Sequence, residues 1–412
     1  MLHGIKRSLK EIVRYGLMWT GVSFLIGGIG GGIGAGFAKA VAWATGFRLE
    51  NGWTLYLMPA AGVVIVWLYH VFHEEKNRGT NGIIEAACGD GRVSPATGVL
   101  IFISTVLTHF VGGSSGREGA ALQLGGAAGS LAGKWVRLDE KDRRIAVMCG
   151  MSAVFGALFG TPAAAGIFSL EVANVGSMAY TGLVPCLFSA FLGANISRLS
   201  GVAPERFTVL DIPEFTLGSA AYAVMLGVLC AAVGAAFAML LHQAQRLYEK
   251  YIKNPYLRIL AASAIFIGLT FLVRTRAYHG SSMELIENAM EGQVRYEAFI
   301  LKALFTAVAL GAGFKGGEIV PTLCVGATFG CTVGHLFGMS PSFSAACGMA
   351  ALFAGVTNCP MSTLVIALEM FGGEAFSFFA LAVAAAFTLS GYHGLYGSQK
   401  FVYSKTRMEE RI

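Results

Sequence analysis

Charged residues are scarce in this chain of 412 residues, since Asp, Glu, Lys and Arg make up 13% of it against 55% hydrophobic residues. Soluble domains carry about 25% charged residues, so the composition excludes an ordinary water-soluble protein. Apolar runs recur from residue 17 to residue 391, and most are long enough for much or all of a helical span of about 20 residues. The strict alternation of a membrane β-strand is missing. The sequence therefore predicts an all-α polytopic membrane protein.

Signatures of metal and cofactor binding are also missing. The eight cysteines lie mostly in apolar runs without metal-ligand spacing, so we expect small buried hydrophobic side chains. The pair His73-Glu74 lacks a second histidine four residues after His73, where Asn77 stands. The glycine-rich run 27–36 lacks the lysine and hydroxyl residue of a phosphate loop. We therefore expect no cofactor.

The formal net charge is +6, and basic residues stand near both ends of the chain. They are Lys6, Arg7, Lys10 and Arg14, then Lys400, Lys405, Arg407 and Arg411. By the positive-inside rule this predicts that both termini are cytoplasmic. We attribute the basic charge to membrane topology and expect no nucleic-acid partner. No signal-peptide cleavage site precedes Leu17.

The two halves of the sequence resemble each other. Gly116-x-Glu118 recurs as Gly316-x-Glu318, and the Cys-Gly-Met sequence that begins at Cys149 recurs at Cys347. A Gly-Ala-x-Phe-Ala segment recurs from 34–38 to 234–238, and Pro-x7-Leu-Glu recurs from 162–171 to 360–369. Four matches in order at nearly constant offset indicate an internal duplication. In membranes this points to a transporter whose site lies between the repeats, near matching breaks at 112–119 and 313–321.

The first break carries the most informative side chain. Its sequence, Gly-Gly-Ser-Ser-Gly-Arg-Glu-Gly, follows an apolar run and precedes a helix pattern of small residues, so it places Glu118 at a helix amino terminus. Such an end attracts anions because its N–H groups are free and its dipole end is positive. A carboxylate there can compete with an anion and can carry a proton, so Glu118 is a functional candidate.

A third helix start is predicted near Asn81. The segment 79–87 leads from a loop into a helix, with Asn81 at the cap. Asn81 either caps this helix or donates its side-chain amide to an anion, and the local sequence leaves both possibilities open. Glu318 has similar alternatives: it lies near the anion path, or it caps its own helix.

These motifs together resemble the CLC family of anion channels and proton-coupled antiporters, across essentially the whole chain. Gly116-Arg117-Glu118-Gly119 resembles the family's gating-glutamate motif. The segments that resemble its other anion-path motifs are Asn81-Gly82-Ile83, Gly316-Gly317-Glu318-Ile319-Val320-Pro321, and Gly394-Leu395-Tyr396. The resemblance implies an anion site formed by Asn81, Gly82, Ile83, Gly116, Arg117, Gly317, Glu318, Ile319, Val320 and Tyr396, with Glu118 as gating and proton-carrying residue and Glu318 as a possible second carboxylate.

Three positions select a branch of that family. Asn81 stands where chloride-selective members carry serine, and Glu318 stands where they are apolar. Val172 occupies the place of the internal proton-transfer glutamate of chloride/proton antiporters. These features resemble the fluoride/proton antiporter branch, and they imply fluoride and protons as transported ions in a bacterial inner membrane, a secondary active transporter and not an enzyme, and a homodimer with one pathway in each subunit.

The predicted organisation has five parts: a cytoplasmic amphipathic helix at 1–16, a first transmembrane repeat at 17–199, a linker at 200–216, a second repeat at 217–397 and a short cytoplasmic tail at 398–412. The repeats are expected to be inverted, with broken helices that meet at a central anion site. Glu171 and Glu369 are expected to pair with or cap a helix end.

Other functions remain open at this point. A chloride/proton antiporter or a passive anion channel would use the same fold. An intramembrane serine protease would use Ser115 as nucleophile and His335 as base, but such an enzyme needs no duplication and leaves Arg117-Glu118 unexplained.

Overall fold

The computed structural model describes residues 2–89, 91 and 93–405, and for residues 2–12 it describes the backbone alone. The described part is built almost entirely of helices, and its one sheet is a parallel pair of two-residue strands, β1 (Asn174–Val175) and β2 (Lys400–Phe401). The helices are α1 (Leu2–Glu50), α2 (Met58–Val71), α3 (Thr80–Cys88), α4 (Pro95–Phe110), α5 (Glu118–Trp135), α6 (Glu140–Phe159), α7 (Pro162–Glu171), α8 (Leu183–Leu199), α9 (Leu217–Tyr251), α10 (Pro255–Val273), α11 (Met283–Met290), α12 (Ala298–Ala312), α13 (Ile319–Phe337), α14 (Pro341–Thr357), α15 (Pro360–Phe371) and α16 (Phe376–Leu389).

Several helices are long and apolar enough to cross a bilayer. In the described chain these are Val13–Glu50, Gly52–Val71, Tyr180–Leu199, Leu217–Tyr251, Pro255–Val273 and Ile319–Phe337. Shorter apolar helices lie between them, as expected where spans are broken inside a protein. The prediction of an all-α polytopic membrane protein is confirmed.

The first helix differs from the prediction. Residues 1–16 were expected to form a separate amphipathic helix, but α1 continues without a break from Leu2 to Glu50. At 1.5 Å per residue its 49 residues extend over about 70 Å, more than twice the hydrocarbon thickness of a bilayer. No proline interrupts residues 2–50, so a single helix is long enough to project beyond the apolar layer.

The twin helices α7 and α15 cap each other. The Glu369 carboxylate at the end of α15 accepts hydrogen bonds from Ala163 N and Ala164 N at the start of α7, at 3.1 and 2.8 Å. In return the Glu171 carboxylate at the end of α7 accepts from Met361 N at 3.0 Å and from Ser362 N at 2.7 Å. Each carboxylate meets the positive end of the other helix.

This reciprocal arrangement requires that α7 and α15 run in opposite directions. Because the two helices occupy equivalent positions of the duplicated sequence, the two repeats are inverted relative to each other. The expectation that Glu171 and Glu369 act as capping carboxylates is confirmed.

Glycines allow equivalent helix pairs of the two repeats to approach backbone to backbone. A Cβ at Gly125 of α5 would collide with the carbonyl of Gly150 in α6, and a Cβ at Gly326 of α13 would collide with that of Gly348 in α14. Inside a membrane the lipid is as apolar as the helices, so helix association depends on van der Waals contacts, and close backbone approach increases them. Cys88 is half-buried and the other seven cysteines are buried, which agrees for those seven with the expected small buried side chains.

The two faces of the molecule can be told apart by the ends of the helices. Tyr15 Oη donates to Thr181 O at 2.6 Å, so the start of the first span lies beside the start of α8. We call this the terminal face, because β2 near the chain end pairs with β1 only a few residues before α8. The opposite, distal face carries the end of α1, the segment 200–216 that joins α8 to α9, and residues 274–282 after α10.

The segment after residue 397 is not a free tail in its described part. Ser398 N donates to Asn81 Oδ1 at 3.1 Å, and Lys405 Nζ donates to Asn358 Oδ1 at 2.6 Å. Together with the β1–β2 pairing, these contacts fasten residues 398–405 to the helix bundle. The rest of the predicted tail, 406–412, lies outside the described residues.

Candidate functional site

The two breaks in the repeats meet through their backbones. Gly116 N donates to Gly317 O and Gly317 N donates to Gly116 O, both at 2.7 Å, in an antiparallel bridge. Side chains could not fit here, because a Cβ at Gly317 would collide with Gly119 N and a Cβ at Gly316 with Ser115. The bridge joins the starts of α5 and α13, and it engages the N–H groups of both Gly116 and Gly317 with protein acceptors.

Glu118 lies at the first position of α5 and is fully buried. Its carboxylate turns back over the helix start, where Oε2 accepts from Arg117 N at 2.9 Å. Oε1 accepts from Arg117 Nε at 3.2 Å. The carboxylate therefore occupies a place beside a helix amino terminus that would otherwise suit an anion.

Arg117 connects Glu118 to the distal face. Its Nη2 forms an ion pair with Glu205 of the segment 200–216, so the guanidinium lies between two carboxylates. Glu205 is held there by its own backbone, since Glu205 N donates to Phe159 O at 2.9 Å. Nothing in the local sequence around Glu205 indicated this partnership.

The third helix start lies where the sequence placed it, with a different cap. The N-cap of α3 is Gly79 at φ 58°, the helix begins at Thr80, and no side chain caps it. Asn81 is therefore the second helical residue, and the capping role considered for it is wrong. Its Oδ1 accepts from Ser398 N, which leaves the amide nitrogen as a donor.

Three helix starts converge near Gly119. The position that a Cβ of Gly119 would take lies 3.2 Å from Glu318 Oε2 and 3.5 Å from Thr80 Oγ1. Thr80 begins α3, Gly119 belongs to the first turn of α5, and Glu318 immediately precedes α13. Gln123 Nε2 adds a hydrogen bond of 3.3 Å to Thr80 Oγ1. The site is thus a meeting point of positive helix ends.

Glu318 is the N-cap residue of α13, but its side chain makes no capping hydrogen bond there. Its Oε2 is buried without a hydrogen-bond partner among the described residues, and Tyr396 Oη is in the same condition. Buried polar atoms of this kind normally have partners. Two unpartnered oxygens beside converging helix starts indicate a place for something polar that binds there.

A cavity of about 500 Å³ opens onto this place from the terminal face. Its walls include Asn81, Thr80, Gln123, Glu318 and Tyr396, and Gln245 and Glu249 near the end of α9 line it as well. The cavity is therefore a polar passage from the terminal face to the meeting point of the helix starts.

The lining of this cavity includes neither Glu118 nor Arg117 among the described residues. Ile319 and Val320 are buried in the first turn of α13. Gly82 and Ile83 line a neighbouring cavity of about 280 Å³ instead. The predicted residues therefore fall into separate groups. Asn81, Glu318 and Tyr396 line the polar passage, and Gly82 and Ile83 line the neighbouring cavity. The others lie around the backbone bridge and the first turn of α13.

Several residues of the passage were not singled out as site residues from the sequence. Thr80 precedes Asn81, and its hydroxyl lies only 0.3 Å farther from the Cβ position of Gly119 than Glu318 Oε2 does, at 3.5 Å against 3.2 Å. Lys315 and Phe314 line the same cavity, and the Lys315 ammonium lies 4.4 Å from the centre of the Tyr69 ring. A lysine and a phenylalanine inside the second glycine-rich break were the available signal for both.

The residues of the protease alternative are not brought together. His335 Nε2 bonds to Gly292 O at 2.8 Å, whereas Ser115 Oγ lies beside Gly316 without a partner in the described chain. Ser114, the neighbouring hydroxyl, bonds to Thr306 and Lys302. A serine and its base must lie within hydrogen-bond reach, and this arrangement does not provide that.

Comparison with known proteins agrees with this geometry. Residues 61–391 match the family model of the voltage gated chloride channel. A chloride/fluoride channel protein of Pseudomonas syringae pv. tomato is 31% identical over 96% of this chain and 89% of that protein. An H(+)/Cl(-) exchange transporter of Vibrio cholerae is 28% identical over 62% of this chain and 58% of its own length.

Solved structures give the same result for the fold. A CLC-type fluoride/proton antiporter superposes with a TM-score of 0.90 and 28% identity, covering 95% of this chain and 98% of that one. A slow cyanobacterial Cl-/H+ antiporter superposes with a TM-score of 0.77 at 20% identity, over 90% and 94% of the two chains.

Proposed function

The chain belongs to the voltage gated chloride channel (CLC) family, and from that premise we propose that it is a fluoride/proton antiporter that exports fluoride from the cytoplasm with the inward proton gradient. The terminal face is then the cytoplasmic face, and the polar passage is the route by which fluoride reaches the centre. The protein is a transporter of the bacterial inner membrane, not an enzyme, and it works as a homodimer with one pathway in each subunit.

The observation that carries the proposal is the position of Glu118. A fully buried carboxylate at a helix start, held by Arg117 N, competes directly with an anion for the same positive potential. When it takes up a proton it loses that attraction and can leave the helix start to an anion. Anion and proton then alternate at one place, which couples their movements in opposite directions.

Fluoride as the anion is supported by the donors and carboxylates in the passage. Fluoride is small and strongly hydrated, so several directed donors must replace its water. Asn81 offers an amide nitrogen, and Tyr396 offers a hydroxyl without a partner among the described residues. The N–H groups of Glu318, at the N-cap, and of Ile319, the first residue of α13, are further donors. Protonated Glu318 would add a further donor through its free oxygen. The fluoride-related relatives support the same anion.

A channel without proton coupling is the second candidate, because the Pseudomonas syringae relative is named a channel. One experiment distinguishes the antiporter from the channel. Proteoliposomes loaded with fluoride or chloride are compared for anion efflux and proton uptake, using the wild type, Glu118→Gln and the exposed control Glu374→Gln.

We expect fast fluoride efflux coupled to proton uptake in the wild type and in Glu374→Gln, with coupling lost in Glu118→Gln. Anion flux without proton movement in the wild type would show a channel. Equal coupled fluxes of fluoride and chloride would show an antiporter without fluoride selectivity.

A further inference from the structure

A group of buried basic side chains lies on the distal side of the gating loop 112–119, and the proposed mechanism does not use it. We call Arg48, His109, His279 and Lys302 the distal cluster. All of them are at least nine-tenths buried. Buried cations are normally paired with carboxylates or fully hydrogen-bonded.

The cluster contains no acid. The charged groups close enough to act on His109 are Arg48, Arg117 and Lys302, and those that act on His279 are Arg48, Lys302 and Arg276. Every one of these neighbours is cationic. Among the described residues, no carboxylate forms an ion pair with Arg48 or Lys302, so their positive charges are not balanced within the protein.

Hydrogen bonding accounts for only part of the cluster. Lys302 is satisfied, because its ammonium donates to Gly280 O at 2.7 Å and to the hydroxyls of Ser114 and Ser282 at 2.9 Å. His279 Nε2 is bonded to Thr270 Oγ1 at 2.9 Å. Arg48, at the carboxyl end of α1, also gains from the helix dipole. These contacts explain why the cluster tolerates its charge, but they leave specific donors unused.

The unused groups are Arg48 Nε and both ring nitrogens of His109, which are buried without hydrogen-bond partners in the described structure. Their side chains meet at Gly280. The position that a Cβ of Gly280 would take lies 3.2 Å from Arg48 Nη2 and 3.6 Å from His109 Nδ1. Gly280 has a φ of 61° and no side chain, so a guanidinium and an imidazole converge beside its backbone.

We propose that the distal cluster binds one small monovalent anion between Arg48 and His109, as a station on the distal side of Glu118. The gating loop touches this place, since Ser115 N donates to Gly280 O and Gly280 N donates to Gly112 O, both at 3.2 Å. Arg48 supplies charge and donors, one protonated nitrogen of His109 supplies another donor, and Lys302 adds positive potential. An anion here is the missing counter-charge of the cluster.

The inference deepens the proposed function, on which it rests for fluoride as the expected anion. In the transport cycle, an anion that has passed Glu118 would occupy this station before it leaves through the distal face. The station would also raise the local anion concentration next to the gate.

The test is isothermal titration of the detergent-purified full chain with sodium fluoride and, separately, sodium chloride, at constant ionic strength set with sodium gluconate. The background is Tyr396→Phe with Asn81→Ala, which weakens binding in the polar passage. In this background we expect saturable heat from fluoride. Adding Arg48→Gln should weaken that binding at least roughly thirtyfold, as for removal of a buried charge partner.

Arg276→Gln is the matched control, because Arg276 is an exposed cation next to the cluster. Unchanged binding in this variant, with binding lost in Arg48→Gln, supports the station. Equal binding in Arg48→Gln, or no saturable heat from either salt in the starting background, would overturn it and show that water alone fills the place. If Arg48→Gln is not monodisperse, His109→Leu replaces it with the same expected loss.

The titration involves no transport and no proton gradient. Failure of the antiport assay therefore leaves the station standing if anion binding depends on Arg48. Loss of the station leaves the antiport proposal standing if Glu118→Gln uncouples the flux.

Discussion

The reciprocal caps of α7 and α15 allow a quantitative prediction, because the two carboxylates are related by the repeat but differ in their contacts. Glu171 is buried and accepts three hydrogen bonds, from Met361 N, Ser362 N and Ser362 Oγ, the last at 2.7 Å. Glu369 is half-buried and accepts two, from Ala163 N and Ala164 N. Replacement of each glutamate by alanine should therefore have unequal effects.

The magnitudes follow from the donors that each change leaves behind. Glu171→Ala leaves the N–H groups of Met361 and of the buried Ser362 without an acceptor, whereas the Ser362 hydroxyl keeps Cys359 O at 3.2 Å. At about 1–3 kcal/mol for each buried unsatisfied group, partly offset by relaxation, we expect these two groups to cost about 2–4 kcal/mol. Glu369→Ala leaves the N–H groups of Ala163 and Ala164 without an acceptor, but Glu369 is itself only half-buried and accepts from no hydroxyl, so we expect about 1–2 kcal/mol, the usual effect of removing a cap.

Thermal unfolding of the detergent-solubilised protein, followed by tryptophan fluorescence, checks the order of stability. We expect wild type and Glu374→Ala to melt together, Glu369→Ala below them and Glu171→Ala lowest. Glu374 is the matched control because its side chain is exposed.

Two results would refute this reasoning. Equal melting of all four proteins would mean that the capping contacts add nothing to stability. A larger loss in Glu369→Ala than in Glu171→Ala would mean that the number of buried donors does not determine the cost. A double variant tests coupling as well, since α7 and α15 contact each other and a sum of the two single losses is not required.

Three further predictions concern packing, the passage and the distal ion pair. Gly150→Ala should lower the free energy of unfolding by about 1–3 kcal/mol, because the three atoms nearest to the new Cβ are backbone atoms that cannot move aside easily. In the control Gly28→Ala the new Cβ meets nothing within 4 Å, so the melting temperature should be unchanged. Tyr396→Phe removes one donor to a charged ligand, so fluoride binding by titration should weaken about 10–100-fold, and unchanged binding would remove Tyr396 from the site. Glu205→Gln leaves Arg117 with Glu118 as its one anionic partner among the described residues, so Arg117 should hold the Glu118 carboxylate more firmly and slow fluoride efflux. Glu205→Asp should restore the rate, and an unchanged rate in Glu205→Gln would make the ion pair purely structural.

Much of the architecture could be predicted from the sequence because its signals are local or repeated. Low charge and long apolar runs indicate membrane helices, and matches such as Cys149 with Cys347 reveal the duplication. The glycines around Glu118 and Glu318 mark breaks because few other residues permit such close backbone approach. The sequence therefore identified the helix starts that meet at the site.

The contacts between distant segments could not be predicted in the same way. Glu205 lies in a segment that is polar throughout, and only the folded chain places it beside Arg117. Ser398 was expected in a short cytoplasmic tail, and nothing in the sequence indicated that its N–H donates to Asn81, 317 residues away. The cap at Gly79 was missed because a glycine with positive φ replaces the side-chain cap that the sequence suggested at Asn81. Partners of this kind depend on tertiary geometry, which composition and spacing do not contain.

The backbone bridge between Gly116 and Gly317 limits how the molecule can work. Each half of the protein is tied to the other by two short hydrogen bonds beside the proposed anion site. Movement of one repeat against the other would break both hydrogen bonds in every transport cycle and leave four polar backbone groups unpaired in a water-poor interior. Rotation of a side chain beside the intact bridge requires far less free energy. We therefore expect the two repeats to stay fixed relative to each other while a side chain such as Glu118 rotates. A covalent cross-link between the two repeats at this bridge should leave fluoride efflux unchanged.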